Sequence, residues 1–104
     1  MTDEDKQLIA GYMGWAQYKY PPYYLNIKGD IESHHFDLND AGVCVQEMQK
    51  RGEWVEFFYF IWNRYRKSEK LLYKEVDEVK FTTLLFNAEN FFGAMAAWLK
   101  EGKK

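Results

Sequence analysis

The fold of this chain depends on one stretch, Trp54-Val55-Glu56-Phe57-Phe58-Tyr59-Phe60-Ile61-Trp62-Asn63-Arg64-Tyr65. Apolar residues at positions 54, 57, 58, 61, 62 and 65 follow the spacing of an amphipathic helix. The aromatic and β-branched residues, which occupy both faces, favour a central strand instead. We predict a strand, which pairs with an alternating stretch at 74–81 in an antiparallel hairpin over residues 54–81. A continuous helix from 54 to 65 is the alternative.

The first helix is predicted from about residue 3 to residue 13. Thr2 is a natural N-cap, Asp5 stands where a capping-box carboxylate reaches back, and the first turn is acidic. Gly14 ends the helix, because glycine readily adopts a left-handed conformation. Between residues 16 and 28, Pro21-Pro22 interrupts a weak alternation, so this segment is an edge strand or a structured loop. Gly29-Asp30 predicts a turn.

Two further helices are predicted downstream. Asp37 caps a helix over about residues 38–50, and Lys50-Arg51-Gly52 closes it. A last helix runs from Thr83 to about residue 100, with apolar residues three and four apart. We therefore expect a single α+β domain over residues 1–104, with three helices on an antiparallel sheet in the order α-β-α-β-β-α. The predicted core comprises Ile9, Met13, Val45, Met48, Phe58, Phe91, Met95 and Trp98.

Composition restricts the class of protein. The formal net charge of −2 gives no electrostatic reason to expect binding to nucleic acid or to an anionic membrane. One cysteine, Cys44, excludes an internal disulfide and is expected to be a buried thiol. The acidic N-terminus is unlike a signal peptide, and no apolar run approaches the ~18 residues of a membrane helix. We expect a cytoplasmic protein.

Catalytic, cofactor and metal motifs are not found in the sequence. His34 and His35 are adjacent, so their side chains diverge and do not chelate one metal ion by themselves; each is expected to lie at the surface. Asp37 and Asp40 are expected to cap a helix rather than to share a proton. We therefore expect a binding protein with no catalytic residues, no metal site and no cofactor.

Candidate binding residues form two groups. Tyrosines crowd around Pro21-Pro22, where a rigid turn offers large contact area at low entropy cost. Basic residues in the predicted hairpin lie beside Tyr65 and suit a phosphate-bearing or acidic partner. The alternative is that half of the tyrosines pack on the sheet and that the basic run is merely solvated. The candidate residues are Tyr18, Tyr20, Tyr23, Tyr24, Arg64, Arg66 and Lys67.

The opening helix ends in Leu8-Ile9-Ala10-Gly11-Tyr12-Met13-Gly14-Trp15. This run resembles the Ile-Ala-x-x-Met-Gly-Trp pattern of small phage and prophage proteins, including those grouped as the phage ABA-sandwich domain. The stretch from Thr83 to Trp98 is similar to their final helix, with Asn90 at a corresponding place. The resemblance covers both ends of the chain and is thin between them, where Gly42 departs from the pattern. The family carries no established catalytic residues, so none is transferred.

The resemblance implies a phage-encoded accessory protein in the cytoplasm of the bacterial host. We expect it to inhibit a host defence component, such as a CRISPR nuclease, by docking on a host protein or by sequestering a nucleotide signal. The first alternative is a structural or regulatory phage protein that acts through self-association as a homo-oligomer. The second is an unrecognised enzyme.

Overall fold

The computed structural model describes residues 1–68, 85 and 87–102, which form four helices and one three-stranded antiparallel sheet. The predicted α+β class is confirmed. In chain order the elements are α1 (Asp3–Met13), β1 (Ala16–Gln17), β2 (Tyr23–Leu25), β3 (Ile31–Ser33), α2 (Leu38–Lys50), α3 (Trp54–Ser68) and α4 (Ala88–Ala97), which continues into a π-helical turn at Trp98–Gly102. In chain order, the sheet therefore lies between α1 and α2.

Helix α3 occupies the stretch that decides the fold, so the predicted strand at 54–65 and the predicted element order are wrong. Helical spacing buries Phe57 and Ile61 on one side, whereas Val55 and Tyr59 are 61% and 52% exposed on the other. The apolar residues on both faces, which favoured a strand, thus include surface residues rather than a second buried face. The strand preference of aromatic and β-branched residues depends on their surroundings. In residues 54–65, burial along one side of the segment favours the helix. The predicted partner strand at 74–81 lies outside the described residues.

The predicted helix α1 is confirmed at both ends. The Thr2 hydroxyl accepts a hydrogen bond from the Asp5 amide at 3.1 Å. Gly14 adopts φ 76° and closes the helix with hydrogen bonds to the carbonyls of Ala10 and Gly11. The amide of Trp15 also donates to the Ala10 carbonyl at 2.8 Å, which directs the Trp15 ring back into the core. The sequence Met-Gly-Trp is therefore a helix stop followed by a core residue.

Among the described residues, the sheet is formed by residues 16–33. Strand β2 is central: its Tyr24 pairs with Gln17 of β1 and with Glu32 of β3. The segment expected to be an edge strand or a loop therefore contributes both an edge strand and the central one. At the β2–β3 turn, the Asn26 side-chain oxygen accepts from the amides of Lys28 and Asp30 at 2.9 and 3.0 Å. This turn contains the predicted Gly29-Asp30 signal.

Helix α2 has the predicted bounds, with Asp37 accepting from the Asp40 amide as N-cap. Helix α4 begins at Ala88, because Asn87 is extended and caps it by accepting from the Asn90 amide at 3.1 Å. The predicted start at Thr83 lies outside the described residues, but the extended backbone of Asn87 shows that one uninterrupted helix from Thr83 to about residue 100 is wrong. The π-helical turn carries the helical stretch to Gly102, close to the predicted end.

The core is aromatic and lies where α1, α2, α3 and α4 meet. Trp98 is fully buried, with its ring centroid 5.8 Å from Tyr12 and 5.1 Å from Phe57 in edge-to-face contacts. Among the residues predicted for the core, Val45 and Phe58 are only half-buried. Those confirmed as buried are Ile9, Met13, Met48, Phe91, Met95 and Trp98.

Candidate functional site

A buried aromatic stack anchors the sheet to the helices. The Trp15 ring lies flat on the imidazole of His34, with centroids 3.6 Å apart and planes inclined by 10°. Tyr24 lies beside both rings, and Phe36 meets Trp15 and Tyr24 edge-to-face. Since His34 is buried, its expected surface position is wrong, whereas His35 is exposed as expected.

Two carboxylates hold the His34 ring by its edges. Its Nδ1 lies 2.8 Å from Asp40 Oδ1, and its Nε2 lies 3.0 Å from Glu32 Oε1. Asp40 also accepts from the Phe36 amide at 2.8 Å, so it ties β3 and its following loop to α2 instead of only capping a helix. A hydrogen bond from the Asn26 side-chain amide, at 2.9 Å, lowers the pKa of Glu32, and the bond to His34 adds to this effect. Both imidazole nitrogens lie within hydrogen-bond distance of a carboxylate, so these contacts fix the orientation of the ring.

The tyrosines predicted for binding differ in how far the structure exposes them. Tyr20 and Tyr23 are 62% and 39% exposed, and their rings meet edge-to-face with centroids 5.6 Å apart. Tyr18 is half-buried, with Lys19 Nζ 5.5 Å from its ring centroid. Tyr24 is only 4% exposed and belongs to the core stack, so its predicted place in the exposed group is wrong. Successive residues of a strand point to opposite faces, which explains why Tyr23 and Tyr24 differ.

The basic candidates lie on α3, because the hairpin expected to carry them is helical over residues 54–68. Arg64 and Lys67 are exposed, and Arg66 is half-buried. Arg64 lines a small depression with Glu89 and other residues of α4. The structure therefore places the tyrosines and the basic residues on separate elements.

A cleft of about 370 Å³ opens between α1 and the start of the sheet. Ala10 and Gly11 form its helical wall, while Trp15 and Tyr24 close its inner end. Its size falls within the roughly 300–1,000 Å³ range of small-molecule sites. Sequence reasoning missed this cleft, because its lining residues are spread between positions 3 and 24 and meet only when the sheet packs on α1.

Reactive groups are few in the part of the chain that the structure describes. Burial, with a smaller effect from Asp40, raises the pKa of the Cys44 thiol to about 12, so the thiol stays protonated near neutral pH. No group of three or more His, Cys, Asp and Glu side chains among the described residues could hold a metal ion. None of the helices in residues 1–68 and 87–102 is long and apolar enough to cross a membrane.

Comparison of the chain with protein-family models, with curated proteins and with solved structures finds no match.

Proposed function

We propose that this protein is a non-enzymatic binding protein that docks on another protein through Tyr20 and Tyr23, and that its partner is a component of bacterial defence that it inhibits. The exposed, mutually packed tyrosine pair is the observation that supports docking. Tyrosine is enriched among the residues that dominate binding energy at protein interfaces. The choice of a bacterial defence component as the partner rests on the resemblance to small phage proteins, and it is part of the proposal.

The outer face of the sheet extends this surface. Leu25 of β2 pairs with Ile31 of β3, and Ile31 is exposed. Tyr23 shares this face with Leu25, since the two are two residues apart in one strand. The exposed Tyr20, Tyr23 and Ile31 and the half-buried Leu25 thus add apolar side chains to this side of a protein of low net charge. An apolar centre with few charges is typical of the core of a protein interface.

Residues 16–33, which form the three-stranded sheet and its turns, hold these side chains in a fixed arrangement. Tyr24, between Tyr23 and Leu25, is buried and holds β2 against Trp15. The Tyr23 amide also donates to the Tyr20 carbonyl at 3.2 Å, which joins the two exposed tyrosines through the backbone. Binding by a surface that is already ordered avoids the entropy cost of ordering it on contact.

The test compares two sets of tyrosine variants. Partners are captured from bacterial lysate on the immobilised wild-type protein, and their affinity is then measured for purified components. Replacing a central tyrosine, Tyr20→Ala or Tyr23→Ala, should weaken binding by more than about 1–2 kcal/mol. The matched control is Tyr59→Ala, which removes a tyrosine of similar exposure from α3 and should leave affinity unchanged.

Two outcomes would overturn the docking surface. A folded Tyr20→Ala/Tyr23→Ala variant with full affinity would place the interface elsewhere. If sedimentation instead shows a wild-type homo-oligomer that this variant dissociates, the self-association alternative replaces the proposal. The variant Arg64→Gln/Lys67→Gln tests the basic candidates separately. If these charges orient the partner, wild-type affinity should fall with added salt, and the affinity of the variant should fall less.

A further inference from the structure

The cleft between α1 and the sheet has a rigid inner end. Trp15 and Tyr24 lie with ring centroids 6.2 Å apart, and both are buried. Behind them, the imidazole of His34 is stacked on Trp15 and held by two carboxylates. The aromatic end of the cleft is therefore fixed before any ligand enters, and the small part of its rings that remains exposed offers an apolar contact to a flat group.

The helical wall leaves room for such a group. Gly11 lines the cleft, and a Cβ atom built on it would meet nothing within 4 Å. Its neighbour Ala10 is also small, so a planar ring can approach the α1 backbone closely. Pro21, from the β1–β2 turn, lines the cleft as well and adds a second apolar surface.

Polar side chains complete the lining. Gln7 and Gln17 contribute primary amides, each of which can donate and accept hydrogen bonds. The Gln17 amide nitrogen donates to the Tyr23 carbonyl at 3.2 Å, an interaction that orients this side chain. Asp3 and Lys6 contribute one carboxylate and one ammonium group, and Lys6 Nζ lies 5.9 Å from the Phe36 ring centroid.

These features together point to one chemical class of ligand. We propose that the cleft binds a nucleoside 5′-monophosphate. The base lies against the aromatic end and the small-residue wall, and the glutamine amides pair with its edge, as glutamine does with adenine in nucleic-acid recognition. Asp3 accepts from the ribose hydroxyls, as acidic residues do in dinucleotide sites. Lys6 pairs with the phosphate.

The charge of the lining favours the monophosphate over ligands that carry more phosphate groups. Among the described residues that line the cleft, Lys6 is the one cation, and Asp3 offsets it. A diphosphate or triphosphate would bring further negative charge that this lining does not neutralise. The expected order of affinity is therefore monophosphate above triphosphate, with the uncharged nucleoside weaker than the monophosphate.

The test uses the four common nucleoside 5′-monophosphates, with adenosine and ATP as companions. Amide chemical shifts of the wild-type protein should move at residues 7, 11 and 17 during a titration, and calorimetry gives the affinity. Gly11→Leu, which places a side chain in the open space, should weaken binding of every ligand by about tenfold or more. Gly42→Leu is the matched control, since Gly42 is also helical and equally open but lies on α2.

A second pair of variants tests the phosphate contact. Lys6→Met keeps the length of the side chain and removes its charge, so it should weaken the monophosphate about tenfold and leave adenosine unchanged. Lys28→Met, at the exposed β2–β3 turn, should change neither affinity. Circular dichroism confirms that each variant is folded.

Three results would overturn the inference: no shift with any monophosphate at millimolar concentration, wild-type affinity in Gly11→Leu, or equal loss of adenosine and monophosphate binding in Lys6→Met. The Tyr20→Ala/Tyr23→Ala variant should bind the monophosphate normally. Failure of the nucleotide site thus leaves the docking surface intact, and the reverse is also true.

Discussion

Replacing Gly14 by alanine should destabilise the protein through the backbone. Gly14 stands at φ 76°, where an L-residue with a Cβ costs about 1–2 kcal/mol relative to glycine. A Cβ there would also lie 2.8 Å from Ile27 Cγ1. Ile27 is largely exposed, so a rotation about its χ1 torsion can relieve this contact, at a cost that adds to the backbone cost because β-branched side chains are stiff there. The loss of 1–2 kcal/mol corresponds to a melting temperature lower by roughly 4–16 °C in a domain of about this size.

Gly11→Ala is the matched control, three residues earlier in the same helix. Gly11 lies inside α1, and a Cβ there meets nothing within 4 Å. Alanine is favoured over glycine in a helix interior by roughly 0.5–1 kcal/mol, so this variant should be more stable than the wild type. The two substitutions are chemically identical and should therefore shift the urea midpoint in opposite directions.

Urea unfolding followed by tryptophan fluorescence measures both variants. A third protein, Gly14→Ala/Ile27→Ala, separates the two causes, because it removes the contact with Ile27 and keeps the left-handed backbone. If it regains the stability of Ile27→Ala alone, the contact and not the dihedral angle is responsible. Equal stability of Gly14→Ala and the wild type would refute the reasoning altogether.

Three further predictions concern the core and its ionisable groups. Trp98→Ala should cost about 3–5 kcal/mol, because a fully buried ring is lost; an unchanged melting temperature would contradict this. Cys44 should resist thiol reagents at pH 8 in the native protein and react in urea, since burial raises its pKa to about 12; rapid native labelling would contradict this. Asn26→Asp keeps the oxygen that caps the turn but removes the donor to Glu32, so the carboxyl pKa seen by NMR titration should rise. Because folding lowers the pKa of Glu32, its contribution to stability is present above the unfolded pKa and is lost as the pH falls through the folded pKa. The Asn26→Asp variant should therefore be less stable than the wild type at neutral pH and match it more closely in strong acid. An unchanged Glu32 pKa in this variant would count against the contact.

Local signals in the sequence predicted the helix ends well. Thr2, Asp37 and Gly14 act through hydrogen bonds or dihedral angles within four residues, so their effect can be inferred without knowing the fold. Residues 54–65 could not be assigned in this way, because the same apolar pattern suits a helix with exposed Val55 and Tyr59 or a strand buried on both faces. The packing of Phe57 against Phe91 and Trp98 distinguishes them.

The candidate surfaces show the same division. Exposed tyrosines beside Pro21-Pro22 were predicted from composition, since proline-containing turns lie at the surface. The burial of Tyr24 depends on the register of β2, and the position of His34 depends on Trp15 and Asp40. No local spacing encodes those contacts, so a histidine that braces the fold and a histidine at the surface looked alike in the sequence.

The packing of α1 against α4 has a consequence for synthesis of the chain. These helices contact each other, and Lys100 Nζ reaches Asp5 Oδ1 at 2.7 Å, although about 75 residues separate the end of one helix from the start of the other. At translation rates of about 5–20 residues per second, the first helix is complete roughly 4–15 seconds before its neighbour exists. During that interval Ile9 and Met13 have no α4 to pack against. The part of the α1 surface that α4 covers in the folded protein therefore stays uncovered by it until α4 has been synthesised.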